Sequence, residues 1–476
     1  MPYTDLDLKI TRWIEENKER ILADWMALVQ IPSVQEAAEP GAPFGQPCAK
    51  ALKKAAQLFS DSGFDVRVEA DDGYAVADMG TGEKLIGMFG HSDVVPVGDD
   101  WLYTQPFTPI IRDGAMIGRG CGDNKNGVMA GLCVMSILDK YKIPLRNRLR
   151  MFIGSNEESG MADVNAYVKK EAMPDLCLVP DARFPCCLGE KSILRSWSLC
   201  QTPLTQILEF KGGKAFNVVL DRVEVLLKQT PALEAQLREK IEGKEAFTLS
   251  VTPEGLLLQA KGIPKHAGSP EGSVNAAALA AKLLAGCDAL HEGDRKIMQT
   301  VADYVESPYG EGMGIAHQDP VFGRLTAVNG MVCVEEGHLK VSLDMRFGTS
   351  FDHLEAEHKL CEAWQKAGWT VPYVFNRKGY VNSPDDPAVK ILCDTFQDVT
   401  GRPAVPYYMA AGTYSRHLKN SYTVGTCILQ DGPVSNLPMP AGHGGAHQSD
   451  EHTNIEGFFR AVRVLTHAVV RLDQQL

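Results

Sequence analysis

Carboxylate and imidazole side chains follow several short apolar segments of this chain, and these side-chain types bind divalent metals and transfer protons. Apolar runs bounded by Gly or Pro predict buried strands. Ligand sites of open α/β sheets form just beyond the carboxyl ends of such strands. We therefore expect these side chains to meet at one sheet edge and to hold a divalent metal. The segments are KLIGMFG-His91-Ser-Asp93, IGRGCG-Asp123, RMFIGSN-Glu157-Glu158, LCLVP-Asp181 and GHGGA-His447.

Each acidic residue of this set has a simpler alternative, because an Asp after a strand commonly caps the next helix. Asp123 and Asp181 could each have that role alone. Capping does not account for a histidine at position 91 or for the adjacent pair Glu157 and Glu158, so the set as a whole favours a metal site.

Composition excludes several classes of partner. The 476 residues carry a formal net charge of −12 and have 44% hydrophobic content. This charge disfavours nucleic acid, and no apolar stretch approaches the roughly 20 residues of a membrane span. The twelve cysteines are scattered without a CxxC pair, and the N-terminal segment lacks the apolar block of a secretory signal. We therefore expect a cytoplasmic protein with no nucleic-acid or membrane partner.

The elements that position these side chains alternate between helix and strand in the first part of the chain. This alternation predicts an α/β domain with a mixed, mostly parallel sheet covered by helices. From residue 188 the pattern changes to antiparallel strands with helices over about 217–241 and 274–288, which predicts an inserted α+β domain. We place the first part of the catalytic domain at 1–187, the inserted lid domain at 188–378 and the second part of the catalytic domain at 379–476.

Five motifs in order make the chain resemble a known family: GHSDVVP, GRGCGDNKNG, NEESG, VPDA and HQSDEH. Together they resemble the dinuclear metallopeptidase superfamily of aminoacylase, carboxypeptidase G and succinyl-diaminopimelate desuccinylase. Within it the chain looks most like the PepV-type bacterial dipeptidases. The resemblance spans nearly the whole chain, including the inserted domain.

The resemblance implies a ligand set for two divalent cations. His91 and Asp181 would bind one, Glu158 and His447 would bind the other, and Asp123 would bridge both. A shared carboxylate suits this chemistry, because two cations about 3.5–4 Å apart need an anion between them. The donor set suits Zn²⁺, our preferred cofactor, and also Mn²⁺ or Co²⁺.

Two further acids receive roles from the resemblance. Asp93 would hydrogen-bond the His91 ring and fix its orientation, and Glu157 would be the general base. Adjacent side chains of an extended segment point to opposite sides, so Glu157 and Glu158 can hardly both bind one ion. One ligand beside one base is the simplest interpretation.

The chain departs from the family pattern near two ligands. Asn124 stands where the family commonly has a second Asp, and the family's cis peptide would fall between Asp123 and Asn124. Near the other end, we expect His443 to be a loop histidine, while His452 takes a place often held by Tyr.

Three residues of the inserted domain resemble the family's substrate contacts. In KHAGSPEGSVNA, His266 would donate a hydrogen bond to the oxyanion of the tetrahedral intermediate. Asn217 would contact the same intermediate, and Arg346 would bind the substrate carboxylate. Without the resemblance, an exposed loop histidine is the favoured interpretation of His266, and a surface ion pair is the alternative for Arg346.

The segment AAGTYSR resembles one that helps to bind the C-terminal carboxylate of a peptide substrate. Gly412, Thr413 and Arg416 are its candidate contacts. An ordinary turn containing glycine is the alternative for this segment.

These observations predict a metal-dependent hydrolase that cleaves dipeptides or short peptides. An N-acyl amino-acid deacylase or desuccinylase with the same site is one alternative, and an inactive peptide-binding homologue is another. The long inserted domain favours a monomer, with a homodimer as the alternative.

Overall fold

The computed structural model describes residues 5–430 and 432–476. The chain divides into two compact units. Unit 1 comprises Met1–Leu188, Asn382–Tyr408 and Gly412–Leu476, and unit 2 comprises Gly189–Val381 and Met409–Ala411. No helix of the described residues is both long enough and apolar enough to cross a membrane.

The first part of the chain alternates helices and strands up to the start of unit 2. Its elements are α1 (Asp5–Val29), α2 (Gln46–Asp61), β1 (Asp65–Glu69), β2 (Tyr74–Met79), β3 (Leu85–His91), β4 (Ile110–Arg112), β5 (Ala115–Ile117), α3 (Lys125–Lys140), β6 (Arg148–Gly154), α4 (Ala162–Lys170), β7 (Leu176–Ala182) and β8 (Cys187–Glu190).

The middle of the chain is richer in strands. Its elements are β9 (Ser192–Cys200), β10 (Ile207–Lys211), β11 (Arg222–Leu227), α5 (Pro231–Ile241), β12 (Phe247–Thr252), β13 (Gly255–Lys261), α6 (Ala276–Ala285), α7 (Glu292–Val305), β14 (Gln318–Asp319), β15 (Gly323–Arg324), β16 (Thr326–Val328), β17 (Val332–Glu335), β18 (His338–Phe347), α8 (His353–Lys366), β19 (Trp369–Arg377) and β20 (Tyr380–Val381).

The last part returns to unit 1. Its elements are α9 (Pro387–Thr400), β21 (Tyr407–Met409), a 3₁₀ helix (Tyr414–His417), β22 (Ser421–Gly425), β23 (His452–Asn454) and α10 (Ile455–Gln475).

The main sheet of unit 1 is mixed, as predicted, and its centre is parallel. Its first six strands lie in the order β1-β2-β6-β3-β7-β22, and β22 also pairs antiparallel with β8. The pairs β1–β2 and β2–β6 are antiparallel, whereas β6, β3, β7 and β22 run parallel to one another. Strand order does not follow chain order, so residues distant in sequence end at the same sheet edge.

Side-chain alternation along β3 explains why this sheet is covered on both faces. Ile86 and Met88 face a core that includes α1, α3 and α10, while Phe89 packs into a separate aromatic cluster. Every residue of β3 is buried, as expected for a central strand of a parallel sheet. In the first core, the rings of Trp25 and Phe458 lie 4.6 Å apart and join α1 to α10.

Unit 2 is an α+β unit with antiparallel sheets, as predicted. One sheet has the order β10-β11-β13-β12, and another has the order β16-β18-β9-β19 with β17 also paired to β18. Side chains of α6, α7 and α8 share one apolar core with these sheets.

The predicted helix over 217–241 is wrong in its first half. Residues 222–227 form strand β11, and the helix α5 begins only at Pro231. The sequence RVEVLL alternates apolar and polar residues, which suits a strand with one buried face. The Thr230 side chain accepts a hydrogen bond from Leu233 N–H and caps the helix beside Pro231, so the helix starts there.

Candidate metal centre

Three parallel strands bring four of the candidate side chains to one edge of the unit 1 sheet. Strand β3 ends at His91, which lies opposite Gly154, the last residue of β6. Glu157 and Glu158 follow β6, and Asp181 lies near the end of β7. The expected convergence at the carboxyl ends of the strands is therefore observed.

Asp123 lies between the two histidines of the set. Its Oδ1 is 3.3 Å from His91 Nε2, and its Oδ2 is 3.0 Å from His447 Nε2. The two oxygens of one carboxylate thus face imidazoles from opposite ends of the chain. This is the arrangement that a bridging carboxylate requires.

Each histidine also lies near a second carboxylate. His91 Nε2 is 3.9 Å from Asp181 Oδ2. His447 Nε2 is 3.1 Å from both Oε1 and Oε2 of Glu158. These contacts place Asp181 beside His91 and Glu158 beside His447, with Asp123 between the two histidines.

One buried polar atom in this cluster, Glu157 Oε1, lacks a hydrogen-bond partner among the described residues, and the buried His91 Nε2 faces the carboxylates of Asp123 and Asp181. Unpaired buried polar atoms are costly unless something else satisfies them. Two sets of three residues bring potential ligand atoms within 4.8 Å of one another, and a divalent cation would satisfy such a set. These sets are His91, Asp123 and Glu158, and His91, Glu157 and Asp181.

At this sheet edge several buried carboxylates lie close together, and their like charges repel one another. Burial and the nearby carboxylates of Asp181, Glu158 and Asp123 raise the pKa of Glu157 well above its usual value. Burial and Asp123 raise the pKa of Glu158 to about 7. Crowded carboxylates favour protonation, whereas a bound cation would favour their charged forms.

The same carboxylates raise the pKa values of the two histidines and so favour the charged forms of the imidazoles. Burial alone lowers the pKa of His91, but hydrogen bonding to Asp123 and Asp93 holds it well above its usual value. Asp123 and Glu158 likewise outweigh burial and raise the pKa of His447 to about 11.

Asp93 organises both the His91 ring and the glutamate pair. The Asp93 backbone carbonyl lies 3.1 Å from His91 Nδ1, and the Asp93 Oδ1 lies 3.4 Å from the same nitrogen, so both the backbone and the carboxylate that the resemblance implied face the ring. The Asp93 carboxylate also accepts hydrogen bonds of 3.1 Å from the backbone N–H groups of Glu157 and Glu158. This second contact was not expected from the sequence, and it aligns the segment after β6 with the end of β3.

Asn124 joins the ends of the two strands that carry the first pair of ligands. The peptide bond between Asp123 and Asn124 is cis, as the resemblance implied. The Asn124 Oδ1 accepts from His91 N–H at 3.3 Å, and its Nδ2 donates to the Pro180 carbonyl at 2.6 Å. Because one contact needs an acceptor and the other a donor, the amide suits this position.

Asp163 is a buried residue that belongs to none of the sequence motifs. Its Oδ2 accepts hydrogen bonds from Ser155 N–H at 2.7 Å, from Asn156 N–H at 2.8 Å and from the Tyr414 hydroxyl at 2.5 Å. It therefore holds the turn that precedes Glu157. No local pattern could reveal this role, since Tyr414 lies far away in sequence.

His443 and His452 lie outside the ligand pairs. His443 Nδ1 is 2.7 Å from Asp450 Oδ2, and His443 Nε2 is 3.3 Å from Asp100 Oδ2. His443 thus pairs with two carboxylates of neighbouring loops, as expected for a loop histidine. His452 lies in β23, and its buried Nδ1 has no hydrogen-bond partner among the described residues.

In unit 2, two of the sequence-selected residues lie side by side. Asn217 Nδ2 is 3.5 Å from His266 Nε2, although the residues are 49 positions apart. His266 is exposed, and Asn217 is half-buried. A backbone bridge between Val218 and His266 holds the two segments together.

Arg346 is buried rather than on the surface. Its Nε and Nη2 contact the two oxygens of Asp344 at 2.5 and 3.0 Å, and Nη1 donates to the Ala410 carbonyl at 3.0 Å. The alternative of a surface ion pair is therefore wrong. Of the five N–H groups of a guanidinium, three have these partners, and the others remain for another acceptor.

The segment around Gly412 has local structural roles. The Thr413 hydroxyl caps the 3₁₀ helix by accepting from Ser415 N–H at 3.2 Å. A Cβ atom at Gly412 would lie 2.2 Å from Arg416 Nη2, so glycine lets the Arg416 guanidinium pack against the backbone. The Tyr414 ring lies 6.2 Å from the His91 ring, which places this segment next to the metal-ligand candidates.

Comparison with known proteins shows the class of protein that this fold and site define. A family model described as Peptidase family M20/M25/M40 matches residues 87–471, which is most of the chain. The chain therefore belongs to this peptidase family. It is an enzyme of the metallopeptidase class, as the sequence motifs predicted.

Individual relatives agree with this assignment over their whole length. The chain is 27% identical to a Staphylococcus epidermidis protein provisionally named a dipeptidase, covering 96% of this chain and 98% of that one. Its fold is similar to that of the dipeptidase Dug1p from Saccharomyces cerevisiae, with a TM-score of 0.62 at 14% identity over 99% of both chains. It is also similar to human carnosine dipeptidase 1, with a TM-score of 0.59 at 14% identity over 98% of this chain and 99% of that one.

Proposed function

We propose that this protein is a dipeptidase that depends on two divalent cations held by the unit 1 centre. The observation that carries the proposal is the position of Asp123, whose two oxygens face His91 and His447 at 3.3 and 3.0 Å. His91 and Asp181 would hold one cation, and Glu158 and His447 the other. When bound, two such cations lower the pKa of a shared water and polarise the scissile carbonyl.

Glu157 is the general base in this proposal. Its Oε1 is buried and lacks a hydrogen-bond partner among the described residues, so it can accept a proton. It would take a proton from the attacking water and later deliver it to the leaving amine. Asp93 supports this step, since it holds the Glu157 backbone and the His91 ring in fixed positions.

Residues of unit 2 and of the Gly412 segment would bind the substrate. His266 and Asn217 would donate hydrogen bonds to the oxyanion, which their adjacent side chains favour. Arg346 would bind the substrate carboxylate, and the Asp344 pair would preorganise its guanidinium. Gly412, Thr413 and Arg416 would contribute to the pocket for the same end of the peptide.

Zn²⁺ is the cofactor we propose, with Mn²⁺ or Co²⁺ as alternatives. The candidate ligands are imidazoles and carboxylates without a thiolate, which suits each of these ions. The dipeptide substrate is proposed from the motifs and from the provisional name of the Staphylococcus epidermidis relative.

We also propose a monomeric enzyme of the reducing cytoplasm. None of the twelve cysteines forms a disulfide, and eight of them are buried, as is usual for a protein in a reducing compartment. A mass near 52.0 kDa in light scattering supports the monomer, whereas twice that mass supports a homodimer.

One substrate panel tests the proposed reaction. The purified protein, loaded with Zn²⁺ or Mn²⁺, is assayed with dipeptides, tripeptides, N-acetyl amino acids and N-succinyl amino acids. Preferential cleavage of dipeptides with free termini supports the proposal. Preference for the N-acyl compounds identifies a deacylase or desuccinylase, and no turnover of any compound identifies a peptide-binding homologue.

A further inference from the structure

The carboxylate of Glu451 is buried against the loop that carries Asp123. Glu451 is 1% exposed. Its Oε1 accepts hydrogen bonds from three backbone N–H groups, those of Gly120 at 3.1 Å, Gly122 at 2.8 Å and Asp123 at 3.1 Å. Successive N–H groups directed at one oxygen form a concave anion site of the kind that binds carboxylates or phosphates.

The other oxygen of Glu451 is also engaged. Its Oε2 lies 2.7 Å from Nη1 of Arg119, which is 1% exposed. The Glu451 backbone carbonyl accepts from Gly118 N–H at 2.9 Å. Side chain and backbone of one residue thus hold the whole loop from 118 to 123.

The glycine at position 120 allows the loop backbone to adopt the conformation in which its N–H groups face Glu451. Its φ is +84°, a conformation that favours glycine, and an added Cβ would lie 2.6 Å from Val94 Cγ1. The turn at Gly120 lets the following N–H groups point to the same side, where Glu451 lies.

The segment that contains Glu451 also carries His447, four residues earlier. His447 has a φ of +65° and Asp450 a φ of +54°, so two residues other than glycine adopt the left-handed conformation here. Such a conformation persists only where surrounding contacts hold it. The contacts of Glu451 with the 118–123 loop are contacts of this kind.

We propose that Glu451 is a positioning residue that sets Asp123 relative to His447, so that the second cation position depends on the hydrogen bonds it accepts. This inference rests on the proposed two-metal function. In this proposal, Asp123 is positioned by the hydrogen bonds from the three N–H groups to Glu451 Oε1, and not by the ion pair with Arg119.

A matched pair of double variants separates these two contacts. Glu451→Gln with Arg119→Met keeps an acceptor oxygen near the N–H groups and removes the ion pair without leaving a buried charge. Glu451→Met with Arg119→Met has nearly the same shape but no acceptor. Replacing a buried ion pair by apolar side chains is often tolerated, so both are suitable for comparison.

The measurements are calorimetric titration of the metal-free full-length proteins with Zn²⁺, and kcat and KM of the loaded proteins with a dipeptide. We expect the Gln variant to bind two equivalents like the wild type. The Met variant should bind the second equivalent about 10- to 100-fold more weakly. Its kcat should fall by a similar factor with KM nearly unchanged, because positioning of the reacting groups is lost and substrate contacts are not.

Equal affinities and equal kcat values in the two double variants would overturn the role of Glu451 and leave the proposed function intact. Wild-type protein that binds fewer than two equivalents would instead overturn the proposed function and this inference with it. If the Met double variant does not fold, the Gln double variant carries the test by itself. It keeps an acceptor for the three N–H groups and lacks the ion pair without leaving a buried charge, so loss of its second equivalent would contradict the assignment to Oε1.

Discussion

Asp123 Oδ2 and His447 Nε2 lie 3.0 Å apart, although one residue belongs to the first third of the chain and the other to its last segment. The main sheet of unit 1 and the loop before β23 together produce this contact. Without it, the acidic residues at the strand ends would form only one ligand group around His91. The contact therefore makes a two-cation centre geometrically available.

Replacement of Glu157 should separate catalysis from metal binding. Glu157→Gln keeps the shape of the side chain but cannot accept a proton as a base, so we expect kcat to fall by about 10²- to 10⁴-fold. Zn²⁺ stoichiometry, measured by calorimetry, should remain at two. Glu254→Gln at an exposed position serves as the control, and turnover like the wild type in Glu157→Gln would refute the base assignment.

Removal of the cations should abolish activity and reduce stability. Cations that bind only the native state raise the free energy of unfolding by about 2.7 kcal/mol at a free concentration 100 times Kd. We expect a chelator to stop dipeptide hydrolysis and lower Tm, and added Zn²⁺ to restore both. His91→Ala should show neither restored activity nor the rise in Tm; full recovery in that variant would contradict its role as a ligand.

The amide of Asn124 should be required for the geometry of the first ligand pair. Asn124→Asp keeps the acceptor for His91 N–H but cannot, as a carboxylate, donate to the Pro180 carbonyl 2.6 Å away. Leaving a buried polar group unsatisfied costs about 1–3 kcal/mol. Chemical unfolding of the metal-free protein should show a loss of this size, and Zn²⁺ affinity should fall. An unchanged unfolding midpoint and affinity would show that the donor is dispensable.

Loss of the His266 imidazole should affect the chemical step more than substrate binding. If His266 donates to the oxyanion, His266→Ala should lower kcat by about 10²- to 10³-fold with a small change in KM. Steady-state kinetics with a dipeptide measure both constants. His358→Ala, at another exposed histidine of unit 2, should behave like the wild type. A change confined to KM would indicate a binding role for His266 instead.

Much of the fold class followed from local sequence patterns. Apolar runs such as LIGMFG and the alternation of helices and strands predicted the mixed sheet of unit 1, because each pattern is a property of a short segment. The predicted helix over 217–241 is wrong in its first half because RVEVLL alternates apolar and polar residues, which favours a strand. Thr230 and Pro231 marked the true start of the helix.

The ligand candidates could be selected because motifs place them at strand ends, and their roles stay predictions until the titrations above are made. No motif indicated several other contacts in the structure. The burial of Arg346 against Asp344 was in principle detectable, since residues two apart on β18 share a face. The contacts of Asp163 with Tyr414 and of Glu451 with the Asp123 loop were not, because they join segments distant in sequence.

The sequence by itself determined which side chains can bind cations, the apolar strands they follow and the peptidase family to which the chain belongs. Only the tertiary structure decided that the two oxygens of Asp123 face different histidines, and that Asp93, Asn124 and Glu451 hold the surrounding backbone in place. The physical reason is that residue type and local pattern specify strands and helices. Distances between side chains depend instead on strand order and on hydrogen bonds between loops, which form only when the whole unit is folded.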